Sequence, residues 1–418
     1  MKLSADLQVL RVASFRTYCV GRSVSELGSS MVLVAVPFAV FSAGGDAGDI
    51  GLVMGAGMLP RILLLLLGGV LGDRLERRSL LLATDVVLAL CQLCTAALLL
   101  GHGAQVWSLA AVQLVSGSAR ALQLPATGGA VQDFAPRTSL QQAISLLRLA
   151  NSTSSVVGPA MAGLLVVSTA PGWVFVVDAA SFVFSAAAMA RLPRGSRTAP
   201  ANKNVLKEAA EGWSAFVALR WVWLMVASFA VYQATVLPAV FIIGPQMSRT
   251  GLGPGAWAAI LTARSVGAIL VALPLLRWRA RRPLVASLLV LLLDVPFFGS
   301  LWIGAPLAVI LIAAALSSAG LNAADTLWET TLQENVSPGL ISRISSYDWM
   351  GSLAFSPLGY LLVGTAVQHT GVRECLLAVT ILHLVVHLLL PLAPAIRHIG
   401  HTTKDAPSTQ DAESAPVH

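Results

Sequence analysis

Charge is scarce in this chain of 418 residues. Asp, Glu, Lys and Arg together make up 11% of it, while 56% is hydrophobic. A soluble domain carries about 25% charged residues. A water-exposed globular protein is therefore excluded, because its surface would lack the polar atoms to cover it. Cysteine is scarce too, at four residues. Cys91 and Cys94 form a C-x-x-C pair, but inside an apolar run with no second pair nearby. That excludes a zinc or redox site, which needs more ligands, and Cys19 and Cys375 also lie in or beside apolar runs. The motifs G-x-x-x-x-G-K-[ST], H-E-x-x-H and G-x-S-x-G are absent. An ATP-driven pump and the commonest membrane hydrolases lose their signatures with them. No enzyme activity, metal or organic cofactor is expected.

Apolar runs are what the chain has in quantity. A membrane-crossing helix needs about 20 apolar residues. Twelve segments qualify: 19–42, 49–71, 80–100, 106–131, 139–168, 172–191, 220–244, 253–276, 284–303, 305–330, 345–367 and 373–393. The first has no small-residue cleavage site behind it and is expected to remain as a span. The basic residues test the count. With the N-terminus on the cytoplasmic side, twenty of the 27 Lys and Arg fall in cytoplasmic segments and two, Arg249 and Arg373, outside. One span more or fewer would scramble that asymmetry. The net charge of +7 thus reads as membrane orientation, with both termini cytoplasmic, and not as nucleic-acid binding.

The spans divide six and six. The expected units are a first half at 1–191, a central cytoplasmic loop at 192–219, a second half at 220–393 and a disordered polar tail at 394–418. The halves echo each other. "QDFAP" (132–136) closes span 4 and "QENVSP" (333–338) closes span 10, an offset of half the chain. Such repetition marks a duplicated six-helix unit, the plan of a rocking transporter.

The turn between spans 2 and 3, within "GGVLGDRLERRSLLLATD" (68–85), concentrates five charges at 73–78. The positive-inside rule accounts for Arg74, Arg77 and Arg78 but not for Asp73, nor for Gly69 and Gly72. The stretch resembles motif A of the major facilitator superfamily, G-x-L-A-D-R-x-G-R-K-x-x-L, with Gly72 in place of Ala and Glu76 in place of the second Gly. That resemblance implies a conformational latch on the cytoplasmic side. Asp73 would contact the start of span 11, and an Arg of the motif would pair with Asp133 at the end of span 4. Glu76 would compete for Arg77. The matching loop of the second half, "RWRARRP", keeps the basic charge but lacks the acid. "SSVVGPAMAG" (154–163) is similar to motif C of the antiporter branches through Gly158, Pro159 and Gly163. A proline there kinks the helix, and the small residues are expected to pack on span 8 near Gly267. "FRTYCVGRSVSELGSS" and "SRISSYDWMGSLAFSPLGYLLVG" resemble the macrolide-efflux and enterobactin-exporter branch.

Ionisable residues at bilayer depth cost about 2.5–3.5 kcal/mol each on insertion scales, so they face cavities or partners. Asp85 and Asp348 are near span ends and are expected to reach the interface, with Asp178 capping or snorkelling. In the resembling family spans 1, 4, 7 and 10 line the cavity, which puts Glu26, Arg120, Asp325 and Glu329 on the pathway, with Arg148 also deep. Arg120 falls where related antiporters carry an arginine. Glu26 or Asp325 is then the proton-carrying acid and Arg120 its modulator; a fixed buried ion pair is the alternative. Asp325 and Glu329 share a helix face and, with Trp328 and Trp257, suit an amphipathic cation. Tyr232 and Gln233 are further cavity contacts. His383 and His387 share a face of span 12, but a metal needs more ligands.

The expected fold is an all-α membrane protein of twelve transmembrane helices in two pseudo-symmetric halves. The resemblance implies a multi-pass exporter in the cytoplasmic membrane. It would work as a monomer, moving a small molecule outward and driven by a proton gradient. An importer or uniporter of the same fold, or a non-transporting membrane scaffold, would share most of these features.

Overall fold

The computed structural model describes residues 8–193 and 213–399, apart from Leu75, Ala215, Pro254, Leu276 and Arg279; side chains at 65–74, 125, 128, 137, 338, 339, 342, 343 and 346 are outside the description. All regular secondary structure among the described residues is helical. The first half contains span 1 (Ala13–Ser42), span 2 (Ala47–Arg74), span 3 (Arg77–Leu100), span 4 (Val106–Phe134), span 5 (Leu140–Ser168) and span 6 (Pro171–Ala190). The second contains span 7 (Arg220–Met247), span 8 (Ala256–Leu270, continued by Ala272–Leu275), span 9 (Pro283–Leu291 and Asp294–Trp302), span 10 (Leu307–Asn335), span 11 (Pro338–Leu353 and Ser356–Thr370) and span 12 (Val372–Leu389). Eleven of these are long and apolar enough to cross a bilayer. Span 4 is as long as the others, at 29 residues, but is made more polar by Gln113, Arg120 and Gln123.

Proline sets where the long spans break. Spans 9 and 11, expected as single helices, are each interrupted just before a proline, Pro296 and Pro357. Proline has no N–H to donate and its ring crowds the preceding turn. Capping is local as well: Asp46 Oδ1 accepts the N–H groups of Gly48 (2.8 Å) and Asp49 (3.2 Å) and so starts span 2.

Helix pairing repeats from half to half. Spans 1·5, 1·6, 2·4, 3·4 and 3·6 pack together, and so do 7·11, 7·12, 8·10, 9·10 and 9·12. The exits from spans 4 and 10 also match: Ala135 (φ −103, ψ 144) and Val336 (φ −113, ψ 135) turn the chain alike. The halves meet along two related seams, span 2 on span 11 and span 5 on span 8. A side chain at Gly51 would run into the Tyr360 carbonyl, and one at Gly163 into Ala258. With no hydrophobic driving force between helices in lipid, such close approach is what holds the seams.

At the chain end, Pro394–Arg397 forms a helical turn with Ile396 fully buried. Ordered packing therefore continues past residue 393, where a disordered tail was expected to start; 400–418 lie outside the described residues. The connections 2–3, 4–5, 8–9 and 10–11, with the end of span 6 and the start of span 7, share one side of the bundle, called below the Arg-rich end.

Candidate functional site

Two contiguous cavities meet in the bundle, one lined by the second half alone and one lying between the halves. The larger, of about 680 Å³, is lined by spans 7, 10 and 11 and includes Phe229, Asp325, Trp328, Glu329 and Asp348. It reaches Val336 and Ile341 at the Arg-rich end. The smaller, of about 340 Å³, is lined by Arg22, Glu26, Arg61 and Arg120 from spans 1, 2 and 4, with Leu237 and Met350 opposite. Gln233 and Leu353 line both, so the two join there. Among the described lining residues the first half thus presents three guanidinium groups and one carboxylate, Glu26, while the charged groups of the second half are all carboxylates.

The acidic wall follows from helix geometry. Asp325 and Glu329 are one turn apart on span 10 and project the same way. Trp328 beside them is held edge-on against Trp221 (ring centroids 5.7 Å apart), and its Nε1 donates to Asp348 Oδ2 at 2.9 Å. Asp348 is thereby turned into the cavity and does not reach the interface as expected. It is twenty residues from Trp328, a separation that carries no local signal.

On the opposite wall Glu26 pairs with Arg22 at 2.6 Å, not with Arg120. Arg120 donates to Ser29 Oγ at 3.2 Å and lies over the Phe182 ring, 5.5 Å from its centroid. The expected Glu26–Arg120 partnership is replaced by the shorter reach from Arg22, one turn earlier on the same helix. Arg148 is on the exposed face of span 5, away from both cavities. Trp257 is fully buried against Gly244 and Phe241, and Tyr232 is 2% exposed inside the second half. Neither of these two lines the described cavities. Asp85 and Asp178 are buried cross-links and not interface groups. Asp85 accepts from Gln123 Nε2 (2.7 Å) and Ser185 Oγ (2.6 Å), and Asp178 accepts from Gln92 Nε2 (2.6 Å), pinning spans 3, 4 and 6 together.

At the Arg-rich end Arg77 Nη1 contacts both oxygens of Asp133, at 3.0 and 3.2 Å. Its guanidinium occupies the space a side chain at Gly129 would need. Glu76 accepts from Ser79 Oγ at 2.7 Å. Arg78 donates to the carbonyls of Met189 (2.9 Å) and Ala190 (2.6 Å), satisfying the last turn of span 6. The Arg77–Asp133 pair joins spans 3 and 4 of one half, so by itself it does not tie the halves. The side chains of Asp73 and Arg74, and the surroundings of Gly69 and Gly72, lie outside the described residues.

The opposite end is closed across the halves. Gln368 Nε2 donates to Asp46 Oδ2 at 2.7 Å, and the Arg249 guanidinium lies over Phe41, 4.7 Å from the ring centroid. The span 5–8 seam adds a polar tie. Pro159 has no N–H, which leaves the Ser155 carbonyl without its helical donor; Ser265 Oγ of span 8 donates to it at 2.5 Å. Gly158 packs on Ser30 of span 1. Span 8 is the expected partner of span 5, but Gly267 faces Ala315 of span 10 instead.

Comparison with known proteins agrees with this architecture. The family profile of the Major Facilitator Superfamily matches residues 18–347. The chain belongs to this superfamily. It is 25% identical to the multidrug efflux pump Tap of Mycolicibacterium fortuitum, over 90% of this chain and 95% of that one. It is 24% identical to macrolide efflux protein A of Streptococcus pyogenes, where the match spans about half of each protein (47% and 50%). Among solved structures, a bacterial homologue of the human lysosomal transporter Spinster, inward-facing and unoccupied, superposes with a TM-score of 0.68 over 94% of this chain and 98% of that one, at 15% identity. The protein is a multi-pass membrane transporter of the superfamily, not an enzyme.

Proposed function

We propose that this superfamily member exports a small amphipathic organic cation, of drug, antibiotic or natural-product type, across the cytoplasmic membrane in exchange for protons. One observation carries the reading. The described residues lining the joined cavities include four carboxylates, Glu26, Asp325, Glu329 and Asp348, against three guanidinium groups, Arg22, Arg61 and Arg120. One negative charge is left unmatched in a site of low dielectric. Either a proton or a monovalent cation neutralises it, and the two exclude each other, which is the logic of exchange. Trp328 and Phe229 beside the acids supply faces for an apolar cation.

The Arg-rich end is cytoplasmic in this reading, as the Lys and Arg distribution favours. The cavity is then open inward, with the outer end shut by the Asp46–Gln368 and Arg249–Phe41 contacts. Asp73 acts as the arm of the latch that crosses to span 11 when the inner end closes, while Arg77 and Asp133 hold its base. The Gly158–Pro159–Gly163 seam favours the antiporter branch. The names of the efflux relatives support outward movement. Each chain carries a whole cavity, so the monomer suffices.

The test is tolerance in an efflux-deficient host expressing the chain, measured over several antibiotic classes and cationic dyes. Tolerance to organic cations should rise, with little change for anionic compounds. Unchanged tolerance to every cation would count against the reading.

A further inference from the structure

Away from the cavity, the second half buries a polar cluster that the exchange just described does not use. The break in span 9 ahead of Pro296 separates the Leu291 carbonyl from its helical donor, because Val295 N–H turns to Leu292 instead. His383 of span 12 meets that carbonyl with Nε2, 2.9 Å away. A carbonyl only accepts, so Nε2 carries a proton and neutral His383 keeps a bare lone pair at Nδ1. Asp294, the first residue after the break, is beside it. Its Oδ2 is 3.8 Å from His383 Nε2, and its Oδ1 accepts from Ser317. Ser317 in turn accepts from Arg264 Nη1 at 2.6 Å. Both Asp294 and His383 are wholly buried.

Two further groups complete the surroundings. Tyr232 of span 7 has its ring centroid 6.0 Å from that of His383. His387 stacks behind at 4.0 Å, with Nε2 on Ser228 Oγ at 3.0 Å. Asp294 Oδ2, His383 Nδ1 and the Tyr232 hydroxyl are all buried without a hydrogen-bond partner among the described residues. Buried polar atoms are normally paired, so three orphans in one cluster call for an explanation. Arg264 and an ionised Asp294 cancel in charge. The lone pairs on Oδ2 and Nδ1 then remain open to one additional proton.

We propose that Asp294 and His383 form an exchangeable proton site within the second half, separate from the cavity acids and linked to them through Tyr232. Tyr232 precedes Gln233, which lines both parts of the cavity, and its hydroxyl is within electrostatic reach of both Asp294 and Asp325. A proton arriving from the cavity bonds to Asp294 Oδ2 and leaves by the same route, with no other bond made or broken. Arg264 from span 8, Asp325 from span 10, His387 from span 12 and Tyr232 from span 7 are the charged and titratable groups that set its occupancy. A cation held at Asp325 disfavours the extra proton, which couples the site to the cavity. Its part in exchange rests on the proposed function, but its existence does not.

Infrared titration of the full-length protein in lipid tests the site by reading the stretch of protonated carboxyl groups. Asp294→Asn should remove one titrating component that both Asp325→Asn and Glu329→Gln retain. His383→Asn, which keeps a donor for the Leu291 carbonyl, should move the midpoint of that component by about one pH unit or more. It reads the same site should Asp294→Asn fail to accumulate. No component lost in Asp294→Asn, or no midpoint moved in His383→Asn, would overturn the proposal. Neither readout needs a substrate, so failure of export would sink the exchange reading and leave this result unaffected.

Discussion

Asp325→Asn should abolish gradient-driven export of the monocationic dye ethidium while leaving the protein at normal abundance. The substitution keeps the shape of the acidic wall and removes one charge. The described cavity residues then balance, three carboxylates against three guanidinium groups, and neither a proton nor a cation gains by entering. The initial rate should fall about tenfold or more, the range of ordinary coupling energies, and the remainder should no longer respond to pH. Asp325→Glu should retain coupling. Glu329, one turn nearer the open end, should matter less when changed to Gln. Initial rates across a pH series decide the matter. Full coupled transport in both Asp325→Asn and Glu329→Gln would sink the charge argument.

A second large effect is expected at the closed end. Cysteines replacing Asp46 and Gln368, in a protein lacking Cys19, Cys91, Cys94 and Cys375, should cross-link in the resting state. Those side chains already meet at 2.7 Å, on the connection between spans 1 and 2 and near the end of span 11. A bond there fastens the two halves at the end that must open for release. Transport should drop to background on oxidation and return on reduction. A cross-linked protein that still transports would show that this end does not need to part. No cross-link at all would show that the closed end described here is not the resting state.

Much of this was legible in the sequence, for identifiable reasons. Span positions follow from run length and charge, so most helix bounds fall within a few residues of those expected. The exceptions are spans 1 and 11, which start at Ala13 and Pro338, because their first turns are too polar to read as membrane. The pairing of Arg77 with Asp133 came through a motif whose spacing is fixed by two adjoining helices. Asp325, Glu329, Trp328 and Gln233 are expected on the cavity through the family resemblance, which assigns spans 7 and 10 to it, while helix periodicity adds that Asp325 and Glu329 share a face.

What was missed depends on facing. Tyr232 sits on a cavity-lining span but turns inward, one helix position from Gln233 in the cavity, and Trp257 is on span 8, which lines neither described cavity. Asp85 and Asp178 have partners 38 and 86 residues away, Gln123 and Gln92. The Arg22–Glu26 pair could have been found, since a cation and an acid one turn apart on a helix are natural partners.

Export on this reading moves a cation outward against a proton moving inward. Ethidium accumulation by inverted membrane vesicles under an imposed acid-inside gradient tests it most directly. Accumulation should appear when the gradient is set, collapse when it is dissipated, and be missing from vesicles carrying Asp325→Asn protein. Accumulation indifferent to the gradient, or no accumulation by the unaltered protein, would contradict proton-coupled export of a cation.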